Sequence, residues 1–166
     1  MSAKLLFLDI DGVMHSVDHV QTSYTDAGID YSGERLFEHL PVLGRILDQC
    51  PDVSVIISSS WRHIHTMPEL QGFFAEWGCR VIGTTTNIDA PSSMPANRFQ
   101  ECRALAEQLG VSDWVMVDDQ PGIVWGSQTP TREESRRVVW CDPILGLGQA
   151  LVASAIVRRF LNDNDR

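Results

Sequence analysis

The chain has 166 residues, 43% of them hydrophobic and 21% charged, and a formal net charge of −9. This length and composition predict a single soluble globular domain over residues 1–166, with enough chain for a substantial core. The negative charge argues against broad binding of nucleic-acid backbone, which needs a basic face, but it does not exclude recognition of one terminal phosphate. No apolar run approaches the roughly 20 residues of a membrane span, and the N-terminal apolar run is too short for a secretory signal. We therefore expect a cytoplasmic protein that binds no membrane.

The first predicted strand covers residues 5–9, where an apolar run leads directly into Asp9. Asp11 follows two positions later, and Gly12 comes next. An apolar run bounded by turn residues is typical of a strand buried on both faces. In an open parallel sheet, ligands bind outside the carboxyl ends of the strands, which is where Asp9 and Asp11 would lie. An unpartnered buried carboxylate is costly, so two at this point indicate a site with a bound partner.

Residues 12–32 are rich in His, Ser, Thr, Asp and Gly and show no sustained periodicity. We interpret this segment as a small flap over the strand ends, in which a short hairpin has room to form. Apolar residues then recur at spacings of three and four, which predicts a helix. Its main part should begin at about Pro41, after a short first piece opened by residues 32–34.

The second predicted strand, residues 52–57, ends on three serines that begin with Ser58 and Ser59, and Trp61 and Arg62 follow them. Hydroxyls, backbone N–H groups and an arginine at a strand end form a plausible anion site, because all of them donate to phosphate oxygens. The alternative is a serine-rich turn that caps a helix. The serines alone do not decide between the two interpretations.

Strands and helices alternate through the rest of the chain. We predict strands at residues 80–83, 113–117 and 137–140, helices at residues 69–77, 97–109 and 146–161, and polar loops at residues 84–95 and 120–134. Such alternation indicates an α/β fold, a Rossmann-like doubly wound parallel sheet with helices on both faces.

A second acid pair, Asp118 and Asp119, follows the apolar strand at residues 113–117. With Asp9 and Asp11, it can place four carboxylates at one rim of the sheet. Negative charges that close together repel unless protons or a cation join them. Oxygen-only ligands favour a hard cation, and Mg2+ is the usual one where phosphate also binds.

Taken in order, these motifs resemble the haloacid dehalogenase-like (HAD) superfamily. Its first motif, an apolar strand followed by Asp-x-Asp-Gly, matches residues 9–12, and its second, a strand ending in Ser or Thr, matches Ser58 or Ser59. Its third motif, a basic residue before the fourth strand, is best matched by Arg98, and its fourth, an acid pair, by residues 118–119. The phrases Ser-Ser-Ser-Trp-Arg and Val-Asp-Asp further resemble the HAD domains of bacterial multi-domain RNA repair proteins.

The resemblance implies a sheet ordered 3-2-1-4-5, with no large cap. It also implies a Mg2+-dependent phosphomonoester hydrolase in which Asp9 is the nucleophile and Asp11 the general acid and base. Ser58 or Ser59 would bind phosphate, and so would Arg98, for which Arg62 or Arg103 could substitute. The implied metal ligands are Asp9, Asp11, Asp118 and Asp119. The substrate would be a phosphorylated molecule, with the terminal phosphate of a nucleic acid as one hypothesis.

Three other interpretations compete with these assignments. Asp-x-Asp-Gly also begins calcium-binding EF-hand loops, but the later ligand positions here include Val13 and Val20, so we reject that reading. A noncatalytic phosphate- or nucleotide-binding module of the same fold remains the alternative function. A transition-metal site at His63 and His65 lacks further nearby ligands, so surface histidines are favoured.

Several single residues also have an ordinary structural explanation. His15 and His19 lie in the flap, and we favour loop histidines over substrate contacts. Core or rim packing is favoured for Trp61, Trp125 and Trp140. The four dispersed cysteines contain no Cys-x-x-Cys pair, and we expect reduced thiols.

Overall fold

A computed structural model describes residues 3–18, 21–25, 28–32, 35–86 and 97–161, with backbone alone for 21–25 and 28–32. The strands in chain order are β1 (Lys4–Leu8), β2 (Gln21–Thr25), β3 (Gly28–Ser32), β4 (Val53–Ile57), β5 (Val81–Thr84), β6 (Asp113–Asp118) and β7 (Val138–Trp140). Five of them form a parallel sheet in the order β5-β4-β1-β6-β7, and β2 pairs with β3 as an antiparallel hairpin. Counted among the sheet strands, this is the predicted order 3-2-1-4-5.

Six α-helices accompany these strands in the described ranges. They are α1 (Leu40–Gln49), α2 (Met67–Phe73), α3 (Arg98–Gln108), α4 (Pro121–Trp125), α5 (Arg132–Arg136) and α6 (Val152–Leu161), and short 3-10 turns cover Ser60–His63, Ala75–Arg80 and Gly146–Gly148. None of the described helices is long and apolar enough to cross a bilayer.

Helices pack on both faces of the sheet, as predicted, because successive strand residues point to opposite sides. Leu6 and Leu8 of β1 face the larger core cluster, which includes buried residues of α1 and α6. Leu5 and Phe7 face the smaller cluster, which includes buried residues of α3. All five residues of β1 are buried, so the strand that carries Asp9 is held firmly from both sides.

The predicted polar loop at residues 120–134 is wrong, since two short helices lie within it. Helix α4 buries Val124 in the smaller core cluster. Helix α5 begins with a capping box in which the Thr131 hydroxyl accepts from the Glu134 N–H and the Glu134 carboxylate accepts from the Thr131 N–H. Reciprocal capping of this kind satisfies two backbone donors and starts a helix in an otherwise polar sequence.

The predicted closing helix at residues 146–161 is wrong in its first third. Residues Gly146–Gly148 form a 3-10 turn against the segment after β1, where the Leu147 N–H donates to the Val13 carbonyl at 2.9 Å. Gly146 has a φ of +48°, and a Cβ there would lie 2.5 Å from that same carbonyl oxygen. The close approach requires glycine, and it delays α6 to Val152.

Other boundaries shift by less. The first helical piece predicted before Pro41 is a series of turns instead, with Phe37 at a φ of +56°. The helix predicted at residues 69–77 is divided between α2 and the following 3-10 turn. The β2–β3 hairpin lies within the predicted flap, whereas His19 and most of the predicted loop at residues 84–95 lie outside the described residues.

Candidate active site

The carboxyl ends of β1, β4 and β6 meet at one edge of the sheet. Leu8 lies opposite Ile57 of β4 and Val117 of β6, so the residues that follow each strand emerge together. The Asp9 N–H donates to the Val117 carbonyl at 3.1 Å, and the Ser58 N–H donates to the Leu8 carbonyl at 2.8 Å. These bonds extend the parallel ladder by one residue and set the position of the Asp9 side chain.

Asp9 and Asp118 share one arginine. The Arg98 guanidinium donates from the same nitrogen to Asp9 Oδ2 at 2.8 Å and to Asp118 Oδ2 at 2.6 Å. The side chains are almost fully buried, with exposed fractions of 3% for Asp9, 0% for Asp118 and 10% for Arg98. Arg62 instead pairs with Glu101, and the exposed Arg103 pairs with Glu107. Of the three arginines considered from the sequence, Arg98 therefore lies at this edge.

One guanidinium cannot neutralise two carboxylates, so the pair retains an excess negative charge. Burial and the neighbouring Asp118 raise the pKa of the Asp9 carboxyl from 3.8 to about 8, although Arg98 opposes the shift. Burial likewise raises the pKa of Asp118. Although burial works against it, the two carboxylates raise the pKa of Arg98, which stays charged. The site is therefore poised to take up a proton or a cation.

Asp119 completes a cluster of carboxylates suited to a metal ion. One oxygen from each of Asp9, Asp118 and Asp119 lies within 4.8 Å of the others. The Oδ1 atom of Asp119 is buried and has no hydrogen-bond partner among the described residues, which is costly unless a cation binds it. Three carboxylate oxygens with a free acceptor fit a hard divalent cation such as Mg2+.

Gly12 allows this cluster to form. A Cβ at Gly12 would lie 2.3 Å from Asp119 Oδ2, and the φ of +72° already favours glycine. The glycine of the Asp-x-Asp-Gly motif therefore brings the loop after β1 into contact with the acid pair after β6.

The adjacent serines Ser58 and Ser59 face different neighbours. The Ser58 hydroxyl lies 3.3 Å from the Cys102 sulfur of α3. The Ser59 hydroxyl hydrogen-bonds the Asp9 carboxyl and also caps the following 3-10 turn, where it accepts from the Trp61 N–H. The capping interpretation of the serine-rich turn therefore applies to Ser59, which is also the serine beside Asp9, and the anion-site interpretation stays a prediction.

Asp11 stands apart from the carboxylate cluster, although the sequence grouped it with the metal ligands. Its Oδ1 accepts from His15 Nε2 at 3.1 Å, and its Oδ2 accepts from Trp61 Nε1 at 3.0 Å. The Asp11 side chain is 27% exposed, whereas His15 is fully buried. Asp11 is therefore an oriented carboxylate at the mouth of the site.

The hydrogen bonds of His15 identify its tautomer. The Phe37 N–H donates to His15 Nδ1 at 3.4 Å, so Nδ1 is an acceptor and the ring proton is on Nε2. That proton points at Asp11. The sequence favoured an ordinary loop role for His15; only its burial against Trp61 and Phe37 brings it to the site.

The other residues that the sequence pointed to make ordinary structural contacts. His63 is exposed, and His65 packs on Trp61 and Phe73. Asp142 accepts from two N–H groups of the turn after β7. Trp125 packs on Phe99 and Trp140, and all four cysteines are free thiols.

The family of HAD domains in Swiss Army Knife RNA repair proteins matches residues 5–152, which include every element from β1 to the start of α6. The chain belongs to this family. It is therefore a HAD-type hydrolase by family, and the resemblance seen in its motifs is confirmed, including the RNA repair subgroup. Searches of curated proteins and of solved structures find no match to this HAD domain.

Proposed function

We propose that this HAD domain is a Mg2+-dependent phosphomonoester hydrolase that forms an aspartyl-phosphate on Asp9. The observation that carries the proposal is the arrangement of two carboxylates with different surroundings. Asp9 is buried beside Arg98 and the carboxylate cluster, and Asp11 is oriented at the mouth by His15 and Trp61. A nucleophile and a separate acid are the two groups that this reaction requires.

Asp9 would be the nucleophile that attacks phosphorus. Its Oδ1 accepts from the Ile10 N–H at 2.9 Å, and its Oδ2 is bound by Arg98. In the first step an Asp9 oxygen bonds to phosphorus while the ester P–O bond breaks, and the leaving oxygen takes a proton from Asp11. In the second step water attacks the same phosphorus, the Asp9–phosphate bond breaks, and Asp11 takes a proton from the water.

Charge neutralisation explains the remaining groups. Asp9, Asp118 and Asp119 would hold Mg2+, which when bound supplies charge screening between the nucleophile and a phosphate dianion. Arg98 would offset the remaining charge, and Ser59, beside Asp9, is the better placed of the two serines to donate to a phosphate oxygen.

The substrate class is proposed to be the terminal phosphate of a nucleic acid. The family consists of HAD domains from RNA repair proteins. In the described part of the chain, the insertion between β1 and α1 contains only a short hairpin, which would leave the site open to the end of a polymer.

A phosphate-release screen tests the proposal. It covers nucleotides, sugar phosphates, phosphopeptides, end-phosphorylated oligonucleotides and an aryl phosphate, with and without Mg2+. We expect Mg2+-dependent release that Asp9→Asn abolishes and that Asp48→Asn, an exposed isosteric change on α1, leaves unchanged. Absence of release from every substrate, with Mg2+ still bound, would instead support the noncatalytic binding module. Cleavage of small esters alone would exclude the nucleic-acid end.

A further inference from the structure

A groove rich in arginine lies at the opposite end of β6 from the candidate active site. It has a volume of about 880 Å3 and lies between α5, α6 and the first residues of β6. We call it the arginine groove and define it by Arg132, Arg136, Arg137, Arg158 and Arg159.

The charge of the groove contrasts with that of the chain. The protein has 13 lysines and arginines in total and a net charge of −9, yet five of these cations line this one groove. Among the described residues, the acids that line it are Asp113 and Glu133. A positive groove on an acidic protein is not a consequence of overall composition, and it would attract anions locally.

Most of these arginines have no anionic partner in the described part of the chain. Arg137 donates to the Ser112 and Trp114 carbonyls at 3.0 and 3.3 Å, and its guanidinium lies 4.7 Å from the centre of the Trp114 ring. The other four show no hydrogen bond or ion pair among the residues described. Neighbouring cations that outnumber the nearby acids repel one another, and an anion that binds between them removes this cost.

The arrangement suits a chain of phosphates better than a single one. Arg132 and Arg136 are four residues apart on α5 and therefore share one helix face. Arg158 and Arg159 approach from α6, on the other wall of the groove. Guanidinium groups bind phosphate oxygens in a bidentate manner, and cations repeated along a groove match the repeated phosphates of a polymer.

We propose that the arginine groove binds the phosphate backbone of a single-stranded nucleic acid. The proposal specifies single-stranded nucleic acid as the substrate class of the proposed phosphatase. It rests on the proposed phosphatase function only for the link between binding in the groove and hydrolysis. Asp113 and Asp118 begin and end β6. A strand rises about 3.4 Å per residue, so the groove and the active site are about 17 Å apart. A substrate held at both places must therefore span several nucleotides.

The first experiment measures binding without hydrolysis. A fluorescein-labelled 12-nucleotide RNA without terminal phosphates is titrated with the full chain, and fluorescence anisotropy is recorded at several salt concentrations. The groove variants are Arg132→Gln, Arg158→Gln and the double variant. Arg45→Gln is the matched control, because Arg45 is an exposed helix arginine far from the groove in sequence.

Each lost phosphate contact should lower the slope of log affinity against log salt by about 0.7, which corresponds to about fivefold weaker binding at 0.1 M salt. We expect that loss for each groove variant, about 25-fold for the double variant, and none for Arg45→Gln. Equal weakening by Arg45→Gln, or no binding by the unaltered protein at low salt, would overturn the proposal. Displacement of the RNA by poly-glutamate at equal charge concentration would also overturn it, in favour of an acidic protein partner.

A second measurement separates the groove from the proposed function. Arg158→Gln should raise KM for an end-phosphorylated 12-mer severalfold and leave kcat/KM for a small aryl phosphate unchanged. An equal loss on both substrates would contradict a role in binding polymer. If neither substrate is hydrolysed, the phosphatase proposal fails while the binding result still tests the groove.

Discussion

The two ends of strand β6 carry charges of opposite sign in opposite surroundings. At the carboxyl end, Asp118 is fully buried and is bonded to Arg98, which also binds Asp9. At the amino end, exposed arginines such as Arg132 and Arg158 line an open groove in which the described arginines outnumber the acids. Burial strengthens each electrostatic interaction and fixes its geometry, whereas exposure leaves charges screened and free to meet a partner.

The difference in burial suits the two ends of β6 to different functions. A buried set of charges with fixed geometry can move a proton or a phosphoryl group with little reorganisation. An exposed set of like charges can attract and hold a polyanion but cannot position reacting atoms. This contrast supports the two proposals, that chemistry occurs at one end of β6 and contact with polymer at the other.

The largest expected effect comes from exchanging single carboxylates at the two ends of β6. Asp118→Asn removes one arm of the carboxylate cluster and should lower Mg2+-dependent hydrolysis by about 100-fold or more, with weaker Mg2+ binding. Asp113→Asn makes the same change at the amino end and should leave the rate within about twofold. Steady-state assays across Mg2+ concentrations measure both. Equal loss in the two variants would mean that the ends of β6 do not differ in chemical role.

Loss of the hydrogen bonds that orient Asp11 should have the next largest effect on hydrolysis. Trp61→Phe and His15→Phe each remove one donor to Asp11 and keep a ring in place. Each should lower kcat by about tenfold, a part of the roughly 100- to 10,000-fold that general acid–base catalysis contributes. The loss should be greater for an alkyl phosphate than for an aryl phosphate, because the aryl leaving group needs less protonation. A loss that is equal for the two esters would indicate a merely structural effect.

Replacement of Gly12 tests the contact between the loop after β1 and Asp119. Gly12→Ala introduces a Cβ 2.3 Å from Asp119 Oδ2 at a φ of +72°. Gly110→Ala has nearly the same φ, +67°, but meets no atom within 4 Å. The backbone strain alone costs about 1–2 kcal/mol, and both variants should show it in denaturant unfolding. Only Gly12→Ala should also weaken Mg2+ binding. Equal Mg2+ affinity in the two variants would show that Gly12 has no role in forming the carboxylate cluster.

The smallest effect is a pH dependence of stability in the Mg2+-free protein. The pKa of Asp9 is raised in the folded protein from 3.8 to about 8, so the folded state binds more protons than the unfolded state between these values. Stability should therefore fall as pH rises from about 4 to about 8. Mg2+ should restore it most at the upper end of this range. Thermal unfolding with and without Mg2+ measures the change, and Asp118→Asn should flatten it.

Much of the candidate site could be predicted because it lies at strand ends. Apolar runs that end on Asp9 and Asp118 predict strands, and parallel strands bring their carboxyl ends to one edge. The choice between Ser58 and Ser59 could not be made, since neighbouring residues at a strand end face opposite sides. His15 was missed because its approach to Asp11 depends on burial against Phe37 and Trp61, which the loop sequence does not encode as a pattern.

The two errors in the helix predictions have different causes, one local in the sequence and one a distant contact. Helix α5 could have been found from its capping box, Thr131-x-x-Glu134, within the polar segment. The late start of α6 depends on Gly146 packing against the carbonyl of Val13, a contact between residues more than a hundred positions apart. Periodicity reports which face of a helix is apolar, but it does not report where another segment interrupts the helix.

The sequence by itself predicted the fold, the family and the acids of the candidate site, because strand pattern and motif order are properties of the sequence alone. Only the tertiary structure decided which serine and which arginine lie beside Asp9, and that His15 and Trp61 orient Asp11. It also gathered arginines from α5 and α6 into one groove, although the net charge of −9 argues against a basic face. Net charge is a sum over the chain, whereas binding depends on where folding places each charge.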